Sequence, residues 1–107
     1  MIVSTTRINV RPENRKELFQ TILPLLDPIR NGKGCVTYRC YVDVTDENSA
    51  LLISEWEEEV DWDNHLRSYD FAILRGALNV LAVSAEIDFK LLTNDCRNLE
   101  FSNQYAF

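Results

Sequence analysis

Glycine and proline are scarce in this chain, three of each in 107 residues. That excludes collagen-like, linker-like and low-complexity organisation. Basic residues are also in deficit: 11 Lys and Arg against 17 Asp and Glu leave a formal net charge of −6. A surface of that sign repels phosphate backbones and anionic headgroups, so neither nucleic acid nor a membrane surface is an expected partner. No apolar run approaches the roughly 18 residues of a membrane span. MIVSTTRINV lacks a basic block followed by an apolar one, so no signal peptide is expected. The chain has no Gly-rich phosphate loop and no dinucleotide fingerprint, so no nucleotide or flavin cofactor is expected. Cysteine is sparse and odd in number: Cys35, Cys40 and Cys96. Cys35 and Cys40 fall in one expected strand at an odd separation, which sends them to opposite faces and too far apart to bridge. They lack zinc-ligand spacing as well, so the expectation is free thiols in a reducing cytoplasm and no metal.

What is present reads as one domain, with 46 % apolar and 26 % charged residues. A core of this size is modest, and a partner subunit would help it. Ile2 to Val10 is rich in β-branched residues and predicts a strand. Pro12 suits a helix start, and Leu18, Ile22, Leu25 and Ile29 then form one apolar stripe up to about Asn31, with Pro24 expected to kink it. Gly32-Lys33-Gly34 stops that helix. From Cys35 to Val44 the alternation puts Val36, Tyr38, Cys40, Val42 and Val44 on one face, with Thr37, Arg39, Tyr41 and Asp43 on the other. A turn at Asp46-Glu47-Asn48 leads to a second strand from Ala50 to Glu57. Val60 to Arg67 predicts a short helix. Phe71, Leu74, Leu78 and Leu81 mark another, and Ser84 to Leu92 a fourth strand.

The order βαββαβ, with its second helix split, predicts an α+β, ferredoxin-like domain built on an antiparallel four-stranded sheet. Helices cover one sheet face. The other face carries Arg39 and Tyr41, with Thr5 and Arg7 or their neighbours, a mixture unlike a plain solvent face, which predicts closure against a second sheet by dimerisation or the lining of a cavity. Residues 93–107 end in Phe101, Tyr105 and Phe107, too apolar for a free end, and are expected to dock on the core or on a partner subunit.

Gly34-Cys35-Val36-Thr37-Tyr38, Asp43, Glu55-Trp56, and His65-Leu66-Arg67-Ser68 with Phe71 resemble the antibiotic biosynthesis monooxygenase domain family, from about Met1 to Leu92. The resemblance implies a dimeric α/β barrel, in which two sheets pack face to face. Among the chemistries it implies are cofactor-free oxygenation of quinols or anthrones, haem degradation, and isomerisation of small phosphorylated metabolites. Haem-degrading members use an Asn, Trp and His set. Those positions fall on Thr6, His65 and Arg75, none of which agrees. The quinol-oxidising members carry a His in the helix that holds His65, and that position matches.

His65, the only histidine, is the candidate base, since an ordinary imidazole titrates near working pH. Tyr69, one turn on, and Arg75 or Arg39 are candidates to stabilise an oxyanion. Trp56 and Trp62, with Tyr41, are candidate walls for an aromatic substrate, and Glu55, in an apolar strand, is expected if buried to carry a raised pKa or to pair with Arg39 or Arg75. Six acidic residues from Glu55 to Asp63 are read as a solvated helix start, without calcium-loop spacing. The leading expectation is a cytoplasmic homodimer that oxidises a small aromatic molecule with O₂ and no cofactor. The alternative is a non-enzymatic, small-molecule-binding or stress-associated dimer of the same fold. Fold alone does not choose between them.

Overall fold

The computed structural model describes residues 1–91. Cys96 and the segment 93–107, with its expected docking, lie outside the described residues. The order is β1 (Ile2–Val10), α1 (Pro12–Arg30), β2 (Cys35–Asp43), β3 (Asp46–Trp56), α2 (Glu59–Leu66), α3 (Tyr69–Leu81) and β4 (Ala82–Leu91). The strands form one antiparallel sheet in the order β2-β3-β1-β4, the ferredoxin-like arrangement expected. No described helix is long and apolar enough to cross a membrane.

Period-two alternation decides which side of each strand is covered. Ile2, Ser4, Thr6, Ile8 and Val10 of β1 and Ala50, Leu52, Ser54 and Trp56 of β3 are buried under the helices. Helix α1 supplies the stripe read from the sequence, Leu18, Ile22, Leu25 and Ile29, together with Leu26. It runs unbroken through Pro24 and Pro28. Each proline removes a helical donor, so burial of the stripe has to outweigh that loss. Phe71, Leu74 and Leu78 of α3 complete the core.

Three local expectations are corrected. The hairpin turns at Val44-Thr45, earlier than read, because Asp43 Oδ1 accepts from both Thr45 N and Thr45 Oγ1 at 2.7 Å. Val44 is therefore solvent-exposed. The register also shifts between Cys35 and Thr37: Cys35 lies opposite Trp56 and Thr37 opposite Glu55. The residue between them, Val36, is displaced and exposed, as a β-bulge requires. The same bulge brings Cys35 and Cys40 to one face, both half-buried against the core and free, where the alternation had them opposed. Burial raises the pKa of both thiols, offset at Cys35 by the Arg30 charge, so neither is an activated nucleophile.

A candidate cavity around His65

Helix α2 begins inside the acidic run, and its inward face is Asp61, Trp62 and His65, all buried. The helix ends at Leu66, and Ser68 then caps α3. Its Oγ donates to the His65 carbonyl at 2.6 Å and accepts from Phe71 N at 3.2 Å. The His-Leu-x-Ser-x-x-Phe spacing is thus a helix-to-helix corner. It folds Phe71 back onto the histidine, edge to face, with centroids 5.2 Å apart.

The imidazole sits in an aromatic cage. It stacks on Trp56 at 4.7 Å and 24°, and meets Tyr38 edge-on at 5.4 Å. Trp56 is itself fixed by donating Nε1 to Ser54 Oγ at 3.0 Å. Burial pulls the His65 pKa down from 6.5 to about 4, against an opposing pull from the Asp70 carboxylate. The ring is therefore neutral at neutral pH, and the ionisation expected near working pH lies well below it.

One side of His65 borders a cavity of about 170 Å³ between the end of α1, the α1–β2 loop and α2. Trp56, Asp61, Asn64, Asp70 and Lys33 share its wall. On the other side, towards Ser4, Thr6 and Ser54, about 10 Å³ remains, barely room for one water. Among the described residues no cluster of His, Cys, Asp or Glu has the makings of a metal site.

The residues singled out from the sequence divide into groups. Trp56 and His65 are brought into contact. Tyr69 is 79 % exposed and lines neither space, because α2 stops before it and the expected one-turn relation to His65 is broken. Arg75 is exposed on α3 and also lines neither. Glu55, Arg39 and Tyr41 lie together with Thr37 on the opposite sheet face, around a groove of about 290 Å³. There Glu55 accepts from Thr37 Oγ1 at 2.9 Å, and its charge also acts on the Arg39 beside it. Arg39, beside Tyr41 and Glu55, has its pKa raised by the Tyr41 hydrogen bond.

Sequence reasoning missed Asp61 and Asp70. Asp61 looked like one more solvated acid but is 6 % exposed. Its phase, one helical turn before His65, was the available signal.

Comparison with known proteins agrees with this architecture. The family model described as antibiotic biosynthesis monooxygenase matches residues 1–73. The uncharacterised Synechocystis protein sll1783 is 30 % identical over 87 residues, 80 % of this chain and 59 % of that protein. "Putative monooxygenase YcnE" of Bacillus subtilis is 28 % identical over 71 residues, 66 % of this chain and 75 % of that protein. A crystal structure from Deinococcus radiodurans superposes with a TM-score of 0.84 at 18 % identity, covering 94 % of this chain and 100 % of that one. At that identity the likeness speaks for the fold alone.

Proposed function

The chain belongs to the antibiotic biosynthesis monooxygenase family, and from that premise we propose that it oxygenates a small, single-ring quinol without a cofactor. One observation carries this reading: the only histidine is buried, neutral and stacked on Trp56 at the wall of a cavity of about 170 Å³. A cavity of about 150 Å³ holds one benzene ring, so the size favours a one-ring quinol over a three-ring anthrone.

The reaction balances as quinol plus O₂ giving a hydroxyquinone plus water. A ring hydroxyl gives its proton to His65. The electron-rich phenolate then reduces O₂, one oxygen atom enters the ring, and the other leaves as water. Neutral imidazole is the form that accepts a proton. Its low pKa makes it a weak base at rest, and the nearby Asp70 charge favours the imidazolium as it forms. Asn64 and Lys33, on the same wall, are the donors placed to steady the developing phenolate. Tyr69 and Arg75, expected in that role, lie away from the cavity.

We assign Arg39, Tyr41 and Glu55 to a homodimer contact through the uncovered sheet face. Leu51 and Ile53 share that face and are half-buried already in one subunit.

An oxygen electrode with one-ring hydroquinones tests the activity. His65→Ala should cost at least about a hundredfold in kcat, the usual size of a general-base contribution. Near-wild-type turnover by a folded His65→Ala protein would remove the histidine from catalysis. The aromatic cage favours a second reading, in which His65 is a packing element of a binding protein. That reading predicts saturable binding of the same rings with no oxygen uptake.

A further inference from the structure

Asp61 is 94 % removed from solvent yet borders the cavity of His65. Among the described residues no hydrogen bond or ion pair reaches its carboxylate. Asn48 Oδ1 is the one buried side-chain oxygen left without a partner among the described residues, so the Asp61 carboxylate is an acid that opens to the cavity rather than a sealed charge. The surroundings hold it in place: Gly34 sits against it at φ 78°, and a Cβ on Gly34 would collide with the Asp61 carboxylate oxygen Oδ2 and Cγ. The missing side chain makes the seat. On α2 the carboxylate stands one turn before His65, the spacing at which two side chains share a helix face. What the cavity lacks is a donor aimed at Asp61, and a ligand can bring one.

We infer that Asp61 is a positioning residue that accepts a hydrogen bond from a ring hydroxyl of the bound aromatic, so the cavity selects free phenols over their O-alkylated counterparts. This rests on the proposed site and deepens it by naming what the substrate must carry. With Asp61 and Asp70 on the wall against Lys33, the lining is net negative, which disfavours phosphorylated or carboxylated ligands and favours neutral, donor-bearing rings. One hydroxyl held by Asp61 would turn a second towards His65, the group assigned to take its proton.

The test compares 4-methoxyphenol with 1,4-dimethoxybenzene, which differ in one donor, by titrating tryptophan fluorescence under nitrogen. A hydrogen bond to a charged acceptor predicts that the intact chain prefers the phenol about tenfold or more. Asp61→Leu should bring the two ligands within about threefold, and the near-isosteric Asp61→Asn should fall between. Asp61→Leu should weaken 4-methoxyphenol binding while leaving 1,4-dimethoxybenzene near its wild-type affinity, which a purely structural role for Asp61 would not predict. Equal binding by the intact chain, no binding of 4-methoxyphenol, or a preference that survives in folded Asp61→Leu would each overturn the assignment. The oxygen-electrode result is separate. Phenol selectivity that depends on Asp61 without oxygen uptake supports this inference and retires the oxygenase. Uptake that depends on His65 with no role for Asp61 does the reverse.

Discussion

The depressed pKa of His65 makes stability depend on pH in a defined window. Folding holds the ring neutral down to about pH 4, whereas the unfolded chain protonates it near 6.5. Between those values the unfolded state binds more protons, so stability rises with pH across the window. The contribution is fully present above about pH 6.5 and is lost as the pH falls towards 4. Each tenfold mismatch in proton affinity is worth about 1.4 kcal/mol, so the interval from 6.5 to about 4 caps the effect at roughly 3 kcal/mol. Solvent reaches the ring through the open cavity, which lowers the expected loss to about 2 kcal/mol. Urea titrations near pH 7.5 and near pH 4.5, on the wild type and on His65→Gln, isolate this term, because carboxylate titration is common to both. The wild type should lose about 2 kcal/mol more than the variant on acidification. Equal losses would refute the claim that the cage excludes the charged ring.

Two further outcomes are expected. Gly34→Ala combines a left-handed backbone with a clash against Asp61 and should cost about 2 kcal/mol, or roughly 10 °C in Tm; an unchanged thermal midpoint would mean that the α1–β2 loop yields freely. Ile53 lies between Thr5 and Arg39 on the uncovered face. Sedimentation of the wild type should give twice the 12.4 kDa chain mass and Ile53→Lys a monomer, whereas a wild-type monomer would remove that face from assembly.

The α1 stripe and the element order were legible because apolar spacing alone carries them. Val36 was not, because alternation assumes an unbroken register and one inserted residue inverts everything before it. The same bulge turned the Cys35 and Cys40 relation around. For the site, the histidine and Trp56 were legible as the rare residues of their segments. Tyr69 was misplaced because counting by helical turns fails across the Ser68 cap, where the rotation restarts. Arg39, Tyr41 and Glu55 are near in sequence to site residues but belong to alternating positions, so the sheet itself separates them from His65. Asp61 was hidden by its acidic neighbours, since composition cannot say which member of a charged run turns inward.

The strand order β2-β3-β1-β4 has a consequence in time. Strand β1 is synthesised before the others of this sheet, yet it occupies an interior place between β3 and β4. Until β3 and β4 are available both edges of β1 are unpaired, and Ile2, Ile8 and Val10 lack the cover they have in the folded sheet. One edge closes when β3 arrives, and the other only when β4 has emerged. A nascent chain stalled before Ala82 therefore presents a half-paired strand with apolar residues beside it. Closing it requires contact between residues as far apart as Ile2 and Leu91, a non-local step that slows folding. The last strand of the sheet thus seals the first, and until it does the free edge of β1 is a template on which another strand could pair.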